Sequence, residues 1–336
     1  MTSSTSILRR HFMLGAATST LGLPAMAQNK DKVSLLYLPV TDYAPFFVAK
    51  EKGYFDDFNI NVELLPKDAT AETVPMVAGG LVTAGGASWS AGVFNAAAAG
   101  SGVVVVADLA RVPTKGRSSV HFMLSPAMAQ AGTTVSSLKG KRVGVLGAGA
   151  FTEYFAAQVL KAGGLGLPDV QVIHLTVPTF GQAFANGAID AGVVFEPFAT
   201  MFEQKNIAKL LPGDYARGTE VGFILVNADF LKAKQDVVVR MLAGYLRAVR
   251  HLQDGGWEDA ATQALMLKYM KIDASVLNRI GVPTIDRSGA IDLTSVRAQE
   301  AFFRQAGKLS YRKPLDWAAL YPGEVAAKAA ALLDKR

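Results

Sequence analysis

Strand and helix signals alternate along the first two thirds of the chain, and this alternation constrains the fold more than any other feature. Short apolar segments, such as residues 33–38 and 103–107, predict buried strands. Between such segments lie others, such as residues 151–162, whose apolar residues recur at helical spacing. An all-apolar strand like 103–107 is typical of a parallel sheet covered on both faces. The alternation therefore predicts α/β units, each a sheet flanked by helices.

The order of the segments predicts two such units. Residues 33–107 carry the first set of strands and helices, and residues 120–211 carry the second. A strand at 221–226 is expected to return to the first unit, and only helical patterns follow residue 228. The chain thus passes twice between the units, and a double connection predicts a hinge.

These observations set the expected boundaries of the domains. We expect a first lobe of residues 28–110 and 220–336, which includes the helical C-terminal segment, and a second lobe of residues 111–219. Each lobe is predicted to be a mixed sheet flanked by helices. Residues 1–27 are expected to be a separate segment, removed during export.

The N-terminal segment resembles an export signal. Arg9 and Arg10 precede a mildly apolar stretch, and residues 25–27 form the small-x-small pattern that signal peptidase cuts. Paired arginines resemble a twin-arginine signal, and an ordinary secretory signal is the alternative. Either signal predicts a periplasmic protein cleaved after Ala27. The chain has no cysteine, so its stability there must come from packing. Beyond the signal no apolar stretch reaches the ~18 residues of a transmembrane helix.

Composition and motif spacing argue against several functions. The net charge is only +6 and the basic residues form no run, so nucleic-acid binding is not expected. His121, His174 and His251 are scattered, without the spacing of metal ligands. Residues 86–92 resemble a nucleophile elbow but fit neither register. We therefore expect no catalytic residue, no metal and no cofactor, and a monomeric chain that is not an enzyme.

One turn leaves a rival hypothesis open. Residues 147–149, Gly-Ala-Gly, join a strand to a helix as in a dinucleotide-binding fingerprint. However, Thr152 replaces the third glycine, and the next strand ends without an acid for the ribose. Three interpretations follow: an exported nicotinamide-dependent oxidoreductase, a purely structural turn, or a helix start whose free N–H groups receive a small anionic or polar ligand.

Aromatic and polar residues gather just beyond the predicted strand ends, where open α/β sheets bind ligands. The aromatic residues are Tyr43, Phe46, Phe47, Trp89, Phe151 and Phe180, and the polar ones are Thr41, Asp42, Ser88, Ser90, Arg111, Thr152 and Glu196. Arg111 is placed either to bind an oxyanion with two hydrogen bonds or to pair with an acid at the hinge. Glu196 either accepts hydrogen bonds from a ligand or caps the following helix. We expect Trp89 to lie at the mouth of the cleft.

Four segments resemble one known family. They are DYAPFFVAKEKGYFDDFNINVELLP at 42–66, the Gly-rich strand and small-residue helix at 79–100, SLKGKRVGV at 137–145 and AFANGAIDAGVVFEPFAT at 183–200. The chain resembles the solute-binding proteins of the nitrate, sulfonate, taurine and thiamine-precursor type, which serve ABC importers. It departs from their pattern at Leu81-Val-Thr-Ala-Gly, where an Asp usually follows the Gly.

The resemblance implies a two-lobed periplasmic binding protein of the second topological type. Its partners would be a small-molecule ligand and the permease and ATPase of the inner membrane. The favoured ligand is a small organic anion, such as a sulfonate, taurine or nitrate; a pyrimidine or thiamine-precursor heterocycle is the alternative. The ligand-facing residues implied by the resemblance are Tyr43, Phe46, Ser88, Trp89, Gly149, Ala150, Thr152 and Glu196. Asp42 and Arg111 are added because of their positions after predicted strands.

Overall fold

The computed structural model describes Met1, residues 29–67 and residues 72–336. The predicted signal segment and cleavage point fall among or next to residues 2–28 and lie outside the described residues. The described strands are β1 (Asp31–Tyr37), β2 (Ile60–Pro66), β3 (Ala84–Ser88), β4 (Val103–Arg111), β5 (Val120–Leu124), β6 (Arg142–Val145), β7 (Gln171–His174), β8 (Ala191–Phe195), β9 (Lys209–Leu210) and β10 (Glu220–Asn227).

Helices lie between most of the strands as far as β10 and then follow one another. They are α1 (Ala44–Glu51), α2 (Thr73–Ala78), α3 (Ala91–Ala98), α4 (Pro126–Gln130), α5 (Phe151–Ala162), α6 (Phe180–Ala185), α7 (Phe198–Gln204), α8 (Ala228–Ala233), α9 (Gln235–Gln253), α10 (Ala260–Met270), α11 (Ala274–Leu277), α12 (Leu293–Gln305), α13 (Trp317–Leu320) and α14 (Glu324–Asp334). The helical C-terminal segment is thus confirmed.

Each lobe is built on a five-stranded mixed sheet. The first sheet has the order β2-β1-β3-β10-β4, with β1 parallel to β2 and β3 and with β10 antiparallel to β3 and β4. The second sheet has the order β7-β6-β8-β5-β9, with β6 parallel to β7 and β8 and with β5 antiparallel to β8 and β9. The predicted return of residues 221–226 to the first sheet is correct, and that strand becomes its second-last member.

The long helix α9 anchors the C-terminal segment to the first sheet. Its apolar positions recur at helical spacing, and Val238, Met241 and Leu242 are buried. Tyr245, on the same face, is buried and donates a hydrogen bond of 2.8 Å from its hydroxyl to the carbonyl of Asp108 in β4. Because a buried hydroxyl needs a partner, this bond fixes the helix on the hinge strand. No helix among the described residues combines the length and apolarity needed to cross a membrane.

An ion cluster and a strap reinforce the connection between the two sheets. Arg111, the last residue of β4, pairs through Nε with Glu220 Oε1 at 2.7 Å and with Asp108 Oδ2 at 3.2 Å. Burial raises the pKa of both carboxyl groups above their usual range. Thr284 exchanges backbone hydrogen bonds with Arg111, so the segment after α11 crosses the connection between the lobes. The two crossovers are therefore braced by the C-terminal part of the chain.

Candidate functional site

A cavity of about 540 Å³ lies between the two lobes, at the carboxyl ends of their strands. The first lobe contributes residues that follow β1 and β3, and the second contributes residues that follow β6, β7 and β8. Most of the wall is apolar, with Leu38, Val40, Val93, Phe151, Phe180, Phe195 and Phe198 among its members. The polar members are Asp42, Tyr43, Ser88, Ser90, Thr152 and Thr176. Among the described lining residues there is no Arg, Lys or His.

Two helices from opposite lobes begin at this cavity. In the first lobe Ser90 caps α3, its Oγ accepting a hydrogen bond of 3.3 Å from the N–H of Val93. In the second lobe α5 begins at Phe151, and Thr152 Oγ1 accepts a bond of 2.8 Å from the N–H of Leu146, which closes the turn after β6. The N-terminal ends of helices carry partial positive charge and free N–H groups. The cavity therefore offers positive potential without a basic side chain in its described lining.

Asp42 supplies an acid to the same cavity. Its side chain is only 4% exposed, and burial raises its pKa to about 7, against the opposing effect of the Ser119 hydroxyl and with a smaller contribution from the charge of Asp108. Its Oδ1 has no hydrogen-bond partner among the described residues. A buried polar atom without a partner is costly, and the Ser119 hydroxyl, which also lacks a partner among the described residues, lies near the same carboxyl group.

Tyr43 follows Asp42 and covers part of the first-lobe wall. Its ring packs edge-on against Phe46, with centroids 5.7 Å apart. A side chain at Gly86 of β3 would meet the Tyr43 ring at 2.3 Å, so only glycine admits the ring at this place. Burial raises the pKa of the Tyr43 hydroxyl, which therefore stays protonated at ordinary pH. The Gly-rich third strand thus positions an aromatic wall residue.

The structure brings five of the ten candidate residues to the cavity: Asp42, Tyr43, Ser88, Ala150 and Thr152. Their contact with a ligand stays a prediction. Phe46 instead lies in the first-lobe core, with its ring 5.4 Å from that of Tyr245. Gly149 lies beside the cavity, where its carbonyl accepts a hydrogen bond of 2.9 Å from the N–H of Ala91 in the opposite lobe. Both therefore support the site rather than line it.

The placement of Trp89 at the cleft mouth is wrong. Its side chain is fully buried among Phe94, Phe223 and Trp317. Trp89 directly follows Ser88, and consecutive side chains of an extended backbone point to opposite faces. Because Ser88 faces the cavity, Trp89 is directed into the core on the other side.

Arg111 and Glu196 do not line the cavity either. Arg111 is held by Asp108 and Glu220, so the hinge-pairing interpretation describes it better than the oxyanion clamp. Glu196 is fully buried, pairs with Arg117 at 2.9 Å and His121 at 3.1 Å, and accepts a bond of 3.0 Å from the N–H of Thr200. The bond to Thr200 caps the start of α7. Of the two predicted roles of Glu196, the structure therefore shows the capping role.

Several lining residues escape the sequence analysis. Thr176 and Val177 follow β7, and Phe198 begins α7. Their position after strand ends is the signal that could have found them, since the same rule selects Asp42 and Ser88. Leu38 and Val40 resemble ordinary core residues in sequence, and only their position between two lobes exposes them to the cavity.

Solved structures and curated relatives share this architecture. The alkanesulfonate-binding protein of Xanthomonas axonopodis pv. citri, bound to MOPS, superimposes with a TM-score of 0.71 at 19% identity and covers 88% of this chain and 100% of its own. This likeness shows the fold, that of a two-lobed periplasmic binding protein. A Bacillus subtilis protein that is named as an aliphatic sulfonates-binding protein is 28% identical over 61% of each chain.

A second curated relative, named as a thiamine biosynthesis protein of Haemophilus influenzae, is 26% identical over 51% of each chain. This chain therefore spans between half and three fifths of the length of these relatives. The description "NMT1/THI5 like" matches residues 40–254, which is more than half of the 336 residues. The chain belongs to the NMT1/THI5-like family.

Proposed function

We propose that this protein is the periplasmic solute-binding component of an ABC importer and that it captures a small organic anion between its two lobes. The observation that carries the proposal is the cavity of about 540 Å³, which is walled by strand ends of both sheets. A ligand held there contacts both lobes at once, so binding favours their closure. The proposed lobes are residues 28–110 with 220–336, and residues 111–219, and the exported chain starts after Ala27.

The two helix starts support an anionic head group. The N-terminal ends of α3 and α5 both reach the cavity, and such ends receive sulfonate, phosphate or carboxylate oxygens. The apolar wall of the cavity narrows the class of ligand further. It favours an alkyl or aryl sulfonate over nitrate or taurine, which bring little apolar surface to bury. The printed name of the Bacillus subtilis relative agrees with this class.

Asp42 favours a second candidate, a pyrimidine or thiamine-precursor heterocycle. An amino or ring N–H group would satisfy its unpartnered Oδ1, and Tyr43 offers an aromatic wall. The name of the Haemophilus influenzae relative agrees with this alternative. The nicotinamide oxidoreductase finds less support, since β5 and β9 run antiparallel in the second sheet and Gly149 packs on the opposite lobe.

A calorimetric screen tests the proposal. The panel contains 1-octanesulfonate, p-toluenesulfonate, nitrate, taurine and 4-amino-2-methylpyrimidine. We expect one of the two hydrophobic sulfonates to bind most tightly and, at a hundred times its Kd, to stabilise the fold by about 2.7 kcal/mol. Preference for the aminopyrimidine would select the second candidate, and no binding by any member would refute both.

A matched pair of variants locates the site. Ala148 lines the cavity and is exposed, so Ala148→Trp fills it and is expected to abolish binding. Ala131 is an exposed alanine of the same lobe outside the cavity, and Ala131→Trp is expected to bind as the wild type does. Equal affinity of the two variants would show that the ligand binds elsewhere.

A further inference from the structure

Helix α12 bridges the two lobes beside the cavity and is attached to the first one. The side-chain amide of Gln299 donates a hydrogen bond of 2.7 Å to the carbonyl of Glu220 in β10. The N–H of Glu220 donates one of 2.9 Å to the hydroxyl of Ser295. Phe303 packs toward Phe94 of α3, with ring centroids 6.3 Å apart. These three contacts tie the helix to the sheet and to α3 of the first lobe.

Lys308, just after α12, is fixed to the same lobe by its backbone. Its carbonyl accepts a bond of 3.0 Å from the side-chain amide of Asn95 in α3. The Oδ1 of Asn95 in turn accepts bonds from the N–H and hydroxyl of Ser310, at 2.8 and 3.1 Å. The backbone of Lys308 and of Ser310 is therefore held against α3.

The side chain of Lys308 reaches into the other lobe. Its Cδ lies 3.7 Å from the position of a Cβ at Gly149, so the stem crosses the turn before α5. Its Nζ then pairs with Glu153 in the first turn of α5, at 3.0 Å from Oε2. The Glu153 carboxylate is only 2% exposed, and its other close partner is His174 Nε2, at 3.1 Å from Oε1. Phe151 and Thr152, which line the cavity, directly precede Glu153.

We infer that Lys308 is a positioning residue that holds the two lobes closed through its ion pair with Glu153. A buried carboxylate that loses its cation pays a large desolvation cost. Separation of the lobes moves α5 away from α3 and α12, so opening breaks this pair and the Tyr154–Phe302 ring contact, whose centroids are 5.4 Å apart. The pair sits one residue beyond Thr152 of the cavity wall. This inference rests on the proposed function only in requiring that the lobes separate.

The test measures the distance between the lobes without any ligand, so its outcome does not depend on the ligand class. The chain has no cysteine, so Glu63→Cys in β2 and Lys161→Cys in α5, both exposed, give one spin label on each lobe. Double electron–electron resonance is recorded on this labelled protein and on four variants of it: Lys308→Met, Lys308→Arg, Glu153→Gln and Lys328→Met. Among the described residues Lys328 pairs with surface groups of α14 and α9, so its variant is the matched control.

We expect the parent protein and Lys328→Met to populate a short, closed distance in the same proportion. Lys308→Met and Glu153→Gln should shift the population toward a longer distance, with the open-to-closed ratio rising on the order of tenfold or more. Lys308→Arg keeps the charge and should restore the short distance. Circular dichroism checks that each variant is folded. The Glu153→Gln variant removes the same ion pair from the other lobe, so agreement between the two variants distinguishes opening from misfolding. Absence of the short distance from the parent protein, or distributions for Lys308→Met and Glu153→Gln that match the parent, would overturn the inference.

Discussion

The indole ring of Trp89 lies 4.2 Å, centroid to centroid, from the ring of Phe223 in β10. Phe94 of α3 stacks on the same indole, with centroids 5.6 Å apart. The two neighbours come from a strand and a helix of the first lobe, so this aromatic group joins its sheet to the helix that begins at the cavity. The relationship makes Trp89 a residue of the core.

Replacing Trp89 is therefore expected to reduce stability much more than affinity. Trp89→Ala removes the ring from a fully buried site and should lower the free energy of unfolding by about 3–5 kcal/mol. Urea denaturation followed by circular dichroism measures the change. Ligand affinity, measured on the fraction that stays folded, should remain near that of the wild type. Unchanged stability together with a loss of ligand affinity would show that Trp89 lines the cavity instead of packing in the core.

Asp42 gives the stability a dependence on pH. Burial raises its pKa to about 7 in the folded state, whereas an exposed aspartate titrates near 4, so the folded protein holds this proton more tightly. Its contribution is therefore fully present below about pH 4 and is lost as the pH rises through 7. Asp42→Asn removes the titration. We expect the variant to gain stability relative to the wild type, by roughly 1–4 kcal/mol, between pH 4 and pH 8.

Chemical denaturation of both proteins at the two pH values measures that difference. The comparison isolates Asp42 because Asp108 and Glu220, whose pKa values are also raised by burial, remain in both proteins. A difference in stability that is the same at both pH values would contradict the prediction.

Glu196 is expected to titrate in the opposite direction. Burial acts to raise its pKa, but the hydrogen bond and charge of His121 and the charge of Arg117 outweigh burial and lower it. Its stabilisation is thus present above about pH 4.5 and is lost as the pH falls through the lowered value. Glu196→Ala leaves Arg117 without its buried partner and should cost about 3–5 kcal/mol at pH 7.

The measurement is again the free energy of unfolding, and Glu203→Ala is its control. Glu203 pairs with the same Arg117 at 2.7 Å but is partly exposed. Its removal should cost clearly less than that of Glu196. Equal losses of unfolding free energy in the two variants would mean that burial does not determine how much the Glu196–Arg117 pair stabilises the fold.

The absence of a side chain at Gly149 is predicted to permit the close approach of the two lobes. A Cβ at this position would lie 2.9 Å from the Cβ of Ala91 in the opposite lobe. Its φ of 68° also belongs to the left-handed region that favours glycine. We expect Gly149→Ala to hold the lobes apart, which small-angle scattering would report as a larger radius of gyration. The matched control is Gly147→Ala, where φ is 80° but nothing lies within 4 Å of the added carbon. Equal radii for the two variants would contradict the prediction.

The sequence predicts the elements well because strands and helices leave periodic signals. The strand at 120–124 and the helix at 151–162 coincide with β5 and α5. Both are rich in apolar residues at strand or helical spacing, as the sheet and its covering helices require. The strand predicted at 103–107 ends four residues too early, because β4 continues to Arg111 and includes the charged residues Asp108 and Arg111. These charges are paired with each other and with Glu220, a fact that only the fold reveals.

The site is predicted less completely than the fold. Position after a strand end correctly brings Asp42, Ser88 and Thr152 to the cavity. The same rule cannot tell which of two neighbouring residues faces inward, so it selects Trp89 as well as Ser88. The partners of Arg111 and Glu196 lie far away in sequence, at Glu220 and at Arg117 and His121. Their use in structural ion pairs could not be anticipated from local spacing.

The central place of β10 in the first sheet has a consequence for the order in which the chain folds. This strand lies between β3 and β4, yet it is synthesised more than a hundred residues after them. All strands of the second sheet lie within residues 120–210, so we expect that sheet to assemble first during translation. Until residue 227 has left the ribosome, β3 and β4 present unpaired edges to other chains. Protection of the nascent first lobe from aggregation is therefore needed late, after its neighbour is complete.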